Sequence, residues 1–301
     1  MHTSTYGSPE AVAREKRALL ERLGPEGVAV VNADDPLALA TARGLPCRVV
    51  TAGHAAEADV RLADARSAWP EGYEVRLQCH GEQVSATIGL HAEHLAPLVA
   101  LALAAAHVLG VEPDAALAAA ARWFVMPEGR LRPERGPTGS TFLMDDFKSR
   151  PSGAVVALRA LRASPARRRI AVLGEVDENP ERESNYRDSA RLLPGCADLV
   201  FAIGRAAPHI RKLLAGTELA DGVRLFDGFA DAAEALRKEL AEGDVVLIHG
   251  CTAQHLGRIK LLLDGRTVGC RVRRCSLGWL CTDCPHLDSH PPEGVVLAGP
   301  S

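Results

Sequence analysis

Four short clusters of polar residues follow apolar runs along this sequence, and each contains side chains that can bind ligands. They are Asn32-Ala33-Asp34-Asp35, Asp145 to Arg150, Gly174 to Asn179, and His249-Gly250-Cys251-Thr252. If the apolar runs are parallel strands, the clusters lie at the carboxyl edge of a sheet, where open α/β folds bind ligands. Adjacent carboxylates such as Asp145 and Asp146 can hold a metal ion or a ribose hydroxyl group, while Lys148 can contact an anion.

Each cluster also has a purely structural interpretation. Asp34 and Asp35 can cap a helix that Pro36 begins. The segment 145–148 can be a salt-bridged loop, and the acidic residues of the third cluster can be a solvated loop. His249 can be a histidine whose hydrogen bonds are satisfied at a strand end. Residue types alone leave these alternatives open.

Four of the eight cysteines lie close together near the C-terminus. Their spacing is Cys270-x4-Cys275-x5-Cys281-x2-Cys284, with His286 and His290 beyond. Four sulfur atoms can complete a tetrahedral zinc site, and the Cys-x2-Cys pair supplies the tight turn that such sites use. We expect a structural Zn²⁺ ion here. A redox-active Cys-x2-Cys pair, which usually stands in a βαβ context absent here, and free thiols are the alternatives.

The remaining pattern indicates an α/β protein in which each of the four clusters follows a strand. In the first part of the chain, an antiparallel patch is predicted within 58–89, turning at His80-Gly81. Strands are also predicted at 28–31 and 47–51, and helices at 9–23, 36–43, 94–109 and 113–123.

From Thr141 onward, strands and helices alternate in five successive βα units, which is typical of a mainly parallel, doubly wound Rossmann-like sheet. The predicted strands are 140–145, 169–173, 198–203, 223–226 and 244–249, and the predicted helices are 151–163, 182–193, 206–214, 229–241 and 253–263. A stretch rich in Pro, Gly and Arg separates the two parts. We therefore predict domains at 1–133 and 134–265, followed by a Cys-rich tail at 266–301.

Composition limits the classes of partner. The net charge of −3 and the pI near 6.4 give no field that would attract nucleic acid or an anionic membrane. The sequence has no signal-peptide pattern at its start and no uninterrupted apolar stretch long enough to span a bilayer. These observations predict a cytoplasmic protein with small-molecule or protein partners.

Several segments, in order, point to one family. They are Tyr6 through Pro36, Gly129-Arg130, Asp145-Asp146-Phe147 with Pro151 and Ala157-Leu158, Arg169 to Glu175, and Gly243 to Gly250. Together they resemble the later part of the central ATPase domain and the C-terminal domain of the Mur ligase family, within it the branch that adds D-alanyl-D-alanine to a nucleotide-linked muramoyl tripeptide. The resemblance covers residues 2 to about 264.

The resemblance implies a peptide ligase of cell-wall (peptidoglycan) synthesis that uses ATP and Mg²⁺ to activate a carboxylate as an acyl phosphate, which an amine then attacks. Site roles follow from it. The expected cofactor-binding residues are Asn32, Asp35, Arg130, Asp145 and Asp146; the expected catalytic residues are Lys148 and His249; and the expected substrate-binding residues are Glu175, Asp177, Cys251 and Thr252.

The departures from the family pattern are as informative as the matches. A P-loop needs a Gly-Lys pair followed by Ser or Thr, and no lysine of this sequence follows a glycine. The adenine-binding asparagines of the family correspond to the segment His91 to Leu95, which has none. The family's Lys-Gly-Ser-Arg corresponds to the fourth cluster, with His249 in place of lysine, and Glu175 stands for an aspartate.

Three hypotheses follow. In the first, the chain is a subunit or fragment of a heteromeric ATP-dependent ligase and works only with a partner that carries the P-loop. In the second, it is a degenerate, non-catalytic Mur-like protein that binds a peptide or partner and uses a zinc-binding tail. In the third, the sequence is a clipped part of a complete enzyme.

Overall fold

The computed structural model of the chain describes residues 6–277 and 280–289. It divides into two compact units, residues 1–125 and 126–301. The division lies a few residues before the predicted boundary at 133, since residues 126–133 belong with the second unit. Each unit contains one sheet.

The first unit is a five-stranded mixed sheet in the order β1-β2-β3-β4-β5. The first two neighbour pairs are parallel and the last two are antiparallel. Its strands are β1 (Val28–Asn32), β2 (Arg48–Gly53), β3 (Val60–Ala68), β4 (Gly72–Cys79) and β5 (Glu82–Ile88), and its helices are α1 (Pro9–Leu20), α2 (Pro36–Ala42), α3 (Ala96–Val108) and α4 (Pro113–Trp123).

The first helix of this unit begins at a capping residue. Ser8 caps α1, where its Oγ accepts a hydrogen bond of 3.1 Å from the backbone N–H of Ala11, and Pro9 occupies the first turn. Helix α3 buries one stripe of alanine, valine and leucine side chains against β1, β2 and β3. The helix is apolar on nearly every face, and burial of this stripe against the sheet is what stabilises it.

Strand β3 was not predicted as a separate strand. It pairs in parallel with β2 and antiparallel with β4, and so joins the predicted antiparallel patch to the parallel strands in one sheet. Its second half, from Asp64 to Ala68, is partly exposed and polar, and a register shift interrupts it between Leu62 and Asp64. This irregularity removes the simple alternation that identifies a strand in a sequence.

The second unit is a six-stranded sheet in the order β10-β9-β8-β11-β7-β6. All neighbour pairs are parallel except β6 with β7. The strands are β6 (Arg132–Arg135), β7 (Thr141–Asp145), β8 (Arg168–Leu173), β9 (Leu199–Ile203), β10 (Val223–Phe226) and β11 (Asp244–His249); the helices are α5 (Pro151–Ala163), α6 (Arg187–Leu192), α7 (Ala206–Leu214), α8 (Phe229–Glu239) and α9 (Arg258–Leu263).

The central strands of this sheet are continuously apolar because helices cover both faces. Every residue of β9 and β11 is buried, including the acidic Asp244 at the start of β11. Oδ2 of Asp244 accepts a hydrogen bond of 2.8 Å from Arg168, and its Oδ1 lies 3.7 Å from Nε of Arg167. The predicted doubly wound sheet is confirmed, and the buried strands place three polar clusters at one edge.

Two predicted helices are wrong in their extent. The helix predicted at 182–193 begins as a 3₁₀ turn at Glu183–Tyr186, and only α6 is α-helical. The helix predicted at 253–263 is a 3₁₀ turn at Thr252–Gln254 followed by α9, because His255 between them has a left-handed backbone with φ 50°. A left-handed residue ends a helix. Strand β6 was also missed, since Pro133 lies within its four residues.

The Cys-rich tail packs on the second unit as far as it is described. The backbone N–H groups of Gly269 and Cys270 both donate to the carbonyl of Leu287, at 2.9 and 3.0 Å. The N–H of Cys275 donates to the carbonyl of Ala253 at 2.8 Å. His290, which the sequence placed beyond the cysteines, lies outside the described residues. None of the helices in the described part of the chain is long and apolar enough to cross a bilayer.

Candidate functional site

Three of the four polar clusters meet at the carboxyl edge of the second sheet. Strand β11 lies between β7 and β8, and His249 is in register with Asp145 on one side and Leu173 on the other. The clusters after β7, β8 and β11 are therefore neighbours, as the strand-end argument predicts. The fourth cluster, Asn32 to Asp35, belongs to the first unit.

His249 joins two of these clusters through hydrogen bonds. Its Nδ1 lies 2.7 Å from Oδ2 of Asp145, and its Nε2 lies 2.9 Å from Oγ of Ser149. His249 and Ser149 are buried, and Asp145 is only slightly exposed. The order Asp-His-Ser resembles a hydrolase triad in connectivity, but the fully buried Ser149 hydroxyl cannot be reached by a substrate in this conformation. The three side chains form an internal brace.

Glu175 is likewise engaged by other side chains of the protein. Its carboxylate is buried and accepts hydrogen bonds from Nη2 of Arg205 at 2.7 Å and Nε at 3.1 Å, and it also pairs with Arg274 from the tail. Its backbone N–H donates to Oε1 of Gln254 at 2.5 Å. Contacts of this kind neutralise the buried charge, so the predicted substrate-binding carboxylate has two internal cations beside it.

Asp146 lies at a small cavity of about 60 Å³. Its Oδ2 accepts a hydrogen bond of 2.7 Å from the N–H of Gly257. Burial raises the pKa of Asp146 to about 6, against the lowering effect of that N–H, and the charge of Asp145 raises it further. Lys260 also lines the cavity and pairs with Asp264 at 2.5 Å.

Arg130 lies over the aromatic ring of Phe147, with 5.0 Å between the guanidinium carbon and the ring centroid. Lys148 follows Phe147, is exposed, and forms no ion pair within the described segments. The backbone carbonyl of Gly129 accepts a hydrogen bond from the N–H of Phe147, which connects the Gly-Arg pair to the loop after β7. An arginine, an aromatic ring and a free lysine thus stand together on one side of the edge.

The other predicted substrate-binding residues have structural contacts. Asp177 accepts a hydrogen bond from the N–H of Ser149 at 2.8 Å, and its own N–H donates to the Ser149 carbonyl at the same distance. Cys251 is buried, and burial raises the pKa of its thiol. The Thr252 hydroxyl donates to the carbonyl of Phe147, and Thr252 lines the cavity beside Asp146.

In the first unit, the Asn32 to Asp35 cluster organises its own loop. Asp35 caps α2, accepting hydrogen bonds from the N–H groups of Leu37 and Ala38 at 2.9 and 3.2 Å. Oδ1 of Asn32 accepts from the N–H of Asp34 at 2.9 Å. Of the two interpretations of Asp35, the structure contains the cap. The predicted nucleotide contacts of Asn32 and Asp35 remain predictions.

All four predicted zinc ligands line one cavity of about 20 Å³, together with His255 and Arg258. The four cysteines are free thiols. A different group, Cys79, His80 and His107, has ligand atoms that all lie within 4.8 Å of one another in the first unit. The sequence analysis did not select this second group, because His107 lies far along the sequence from the adjacent pair Cys79-His80.

The sequence analysis missed the partners that engage the site. Arg205 lies just beyond Ile203, the last residue of β9, so the strand-end rule could have found it. Gln254 and Arg274 reach Glu175 from the interrupted helix and the tail, and no local pattern indicates either contact. Ser149 gave no signal, because a single serine in a loop is common.

Comparison with known protein families matches most of the chain to two domains. Residues 1–106 match the Mur ligase middle domain, and residues 129–252 match the Mur ligase glutamate ligase domain. The chain belongs to the Mur ligase family. Its family was therefore predicted correctly.

Individual relatives of the chain are about twice as long. The UDP-N-acetylmuramoylalanine--D-glutamate ligase of Rubrobacter xylanophilus is 29% identical over 255 residues, which are 84% of this chain and 53% of the relative. The chain therefore spans about half the length of this curated relative.

Solved structures confirm the predicted fold. A MurF from Acinetobacter baumannii superposes with a TM-score of 0.76 at 19% identity, covering 88% of this chain and 58% of that protein. MurF from Thermotoga maritima in complex with ADP gives 0.70 at 18% identity, with 88% and 59% covered. Folylpolyglutamate synthase of Mycobacterium tuberculosis, complexed with ADP and AMPPCP, gives 0.60 at 21% identity, with 81% and 57% covered.

Proposed function

We propose that this chain is part of an ATP-dependent ligase that joins a carboxylate to an amine in peptidoglycan synthesis. We further propose that a separate partner protein supplies the phosphate-binding lysine. The single observation that carries the proposal is the set Arg130, Phe147 and Lys148, partly or fully exposed at the carboxyl edge of a Mur-type C-terminal domain. The family relationship supports the same conclusion, and a ligase of this kind is expected to act in the cytoplasm.

The donor set at this edge fits part of a nucleotide. Phe147 presents an aromatic ring that a base can stack on, and the Arg130 guanidinium can form paired hydrogen bonds with a phosphate or a ribose oxygen. Lys148 adds a positive charge with no carboxylate partner among the described residues. When bound, Mg²⁺-ATP supplies the phosphoryl group that activates the carboxylate. The chain's own residues would orient the nucleotide and neutralise the charge of its phosphates.

The carboxylates fit Mg²⁺ less well. Oδ2 of Asp145 is engaged by His249, and Oδ2 of Asp146 by the N–H of Gly257. The raised pKa of Asp146 shows that its surroundings disfavour the charged form, which a metal ligand requires. We therefore assign metal binding in the active ligase to groups outside this chain, and to these aspartates a structural role in the loop after β7.

The D-alanyl-D-alanine branch is the substrate class that the sequence resemblance favours. The MurF structures of similar fold support it, whereas the curated relative is named as a D-glutamate ligase. Glu175, Asp177, Cys251 and Thr252 stay our proposed contacts for the amine substrate, with Lys148 and His249 as proposed catalytic residues. For Glu175, this requires the substrate ammonium group to replace one of the two arginines.

The test uses the chain purified from its native cells with whatever P-loop protein accompanies it. We expect the assembly to release phosphate from ATP only when both an acceptor carboxylate and an amine such as D-alanyl-D-alanine are supplied. Arg130→Ala should reduce this turnover at least tenfold. Arg135→Ala, which removes an exposed arginine nearby in the same strand region, should leave it unchanged. Equal turnover in the two variants would contradict the assignment of Arg130.

A second function is favoured because His249 and Glu175 are each hydrogen-bonded to other side chains of the chain. In this alternative the chain is a non-catalytic binding or scaffold protein, because the groups that should meet the amine are already satisfied. The assembly would then contain the chain and show no amine-dependent phosphate release. A complete enzyme of which this sequence is a clipped part would instead be found as one longer polypeptide in the same native purification.

A further inference from the structure

The Cys-rich tail contains a group of side chains that the ligase proposal does not use. Cys270, Cys275, Cys281 and Cys284 line one enclosed cavity of about 20 Å³. Cys281 begins a 3₁₀ turn, and the N–H of Cys284 donates to the carbonyl of Cys281 at 3.3 Å. The turn places Cys281 and Cys284 on the wall of the cavity that Cys270 and Cys275 also line.

Arg258 gives the first physical reason to expect an anion in this place. Its side chain is 1% exposed, and no carboxylate pairs with it in the described parts of the chain. Its hydrogen bonds go to neutral backbone carbonyls, including those of Gln254 and Val272 at 2.8 and 2.9 Å, and Nη1 lies 3.7 Å from Sγ of Cys270. A buried cation without a counter-ion is costly, so a negative charge beside it would be strongly stabilising.

His255 gives the second reason. It lines the same cavity, and its Nε2 atom is buried and has no hydrogen-bond partner within the described residues. Buried polar atoms almost always have partners, so an unpartnered nitrogen on the wall of this cavity indicates that the cavity holds a group other than the described side chains. Arg258 thus has hydrogen bonds and the ring of Phe229 beside it but no counter-ion among the described carboxylates, and Nε2 of His255 has no partner among the described groups.

We propose that Cys270, Cys275, Cys281 and Cys284 bind one Zn²⁺ ion as four thiolates. Zinc with four thiolates carries two net negative charges, which pair with the Arg258 guanidinium. Zn²⁺ displaces the four thiol protons, which pass to solvent. Four thiolates are the ligand set of many tetrahedral structural zinc sites.

The site would hold the tail on the carboxyl edge of the sheet. The loop between Cys270 and Cys275 carries Arg274, which pairs with Glu175, and the N–H of Cys275 donates to Ala253. Metal binding therefore positions a cation next to Glu175. This inference does not depend on the proposed ligase activity, because the metal site is complete within the chain.

The experiment measures metal content in the full-length chain, purified from zinc-supplemented medium without a metal-affinity tag. We expect one zinc ion per chain, and a cobalt-substituted protein with the thiolate charge-transfer and d–d absorption of a tetrahedral tetrathiolate site. The double variant Cys281→Ser, Cys284→Ser should lose at least tenfold in zinc content. Cys196→Ser, which changes another buried free cysteine of the same unit, should retain the metal.

Chelation of zinc from the wild-type chain gives a second test, which holds even when the double variant does not fold. Removal of zinc should lower the melting temperature, and added Zn²⁺ should restore it. The proposal is overturned if the wild-type chain contains no zinc and gives no thiolate band with cobalt, or if mass mapping finds the cysteines paired in disulfides. It is also overturned if the folded double variant keeps its zinc, which would place the ion at Cys79, His80 and His107.

Discussion

The carboxyl edge of the second sheet has two sides that treat their polar residues differently. On the nucleotide side, which we define as Arg130, Phe147 and Lys148, the charged groups are partly or fully exposed and no carboxylate pairs with either in the described chain. On the amine side, which we define as Glu175 and His249, both side chains are buried and hydrogen-bonded to other side chains. A ligand can join the first side directly. On the second it must replace an existing partner.

The difference follows from burial. A polar group removed from water needs a hydrogen-bond partner. His249 and Glu175, which stand at buried strand ends where the family has lysine and aspartate, therefore need partners within the chain. His249 is hydrogen-bonded to Asp145 and Ser149. Glu175 forms ion pairs with Arg205 and Arg274. Residues of the amine side should therefore matter first for stability, and those of the nucleotide side for activity.

Asp146, next to the nucleotide side, should give the largest pH-dependent effect. Its pKa is raised to about 6, above that of the unfolded chain, so its protonated form is favoured by folding. This contribution to stability is fully present below about pH 4 and is lost as the pH rises to about 6. We expect the unfolding free energy of the wild type to fall by up to about 3 kcal/mol across this window relative to Asp146→Asn.

The measurement is urea unfolding of both proteins at several pH values between 4 and 7. Other carboxylates titrate in both proteins and cancel in the difference. A difference that stays constant across the window, or that favours the wild type as pH rises, would show that the buried carboxyl group is not protonated in the folded state.

Glu175→Ala should be the most destabilising change on the amine side, by about 2 kcal/mol, because it removes several charge-assisted hydrogen bonds at once. The estimate is kept moderate since Arg205 and Arg274 are partly exposed and can turn to solvent. Glu181→Ala is the matched control. It removes a 70% exposed partner of the same Arg205 and should change stability by less than about 0.5 kcal/mol. Similar losses from the two variants would mean that Glu175 is not buried as described.

His249→Ala should cost about 1.5 kcal/mol, because it leaves the fully buried hydroxyl of Ser149 and the carboxylate of Asp145 without a partner. A double-mutant cycle with Ser149→Ala isolates one of these bonds. We expect a coupling free energy of about 1 kcal/mol between the two side chains from denaturant unfolding. If the two free-energy changes add without coupling, the hydrogen bond between His249 and Ser149 does not contribute to stability.

Lys148→Ala should have the smallest effect on stability, within about 0.5 kcal/mol, because the side chain is exposed and has no ion pair with the described residues. In the native assembly, the same variant should lower amine-dependent phosphate release at least tenfold. Lys238→Ala, an exposed lysine of α8, is the control for loss of charge. Unchanged turnover in Lys148→Ala would place the nucleotide side away from the reaction.

Parallel strands and their end residues were the most predictable part of this molecule. The continuous apolar runs of β9 and β11 have one explanation, burial on both faces, and so predict both the strands and the edge where Asp145, Glu175 and His249 meet. The break at His255 was less predictable, because its left-handed backbone occurs at a histidine rather than at a glycine or next to a proline.

The partners of the site residues could not be predicted for a similar reason. Arg274 is distant from Glu175 in sequence and reaches it only because the tail folds back over the strand ends. Asp35 shows the opposite case, because a cap depends on the next few residues alone and was correctly named as one alternative. Local hydrogen bonds follow from sequence, whereas long-range charge pairs follow from the complete fold.

Hydrolysis of ATP by the isolated 301-residue chain, with and without the partner from the native assembly, tests the central claim most directly. Without a glycine-framed lysine the chain should release no phosphate above the buffer rate, whatever carboxylate and amine are added, and turnover should appear only after the partner is restored. Magnesium-dependent turnover by the isolated chain, abolished by Arg130→Ala, would contradict the claim that the phosphate-binding group comes from another protein.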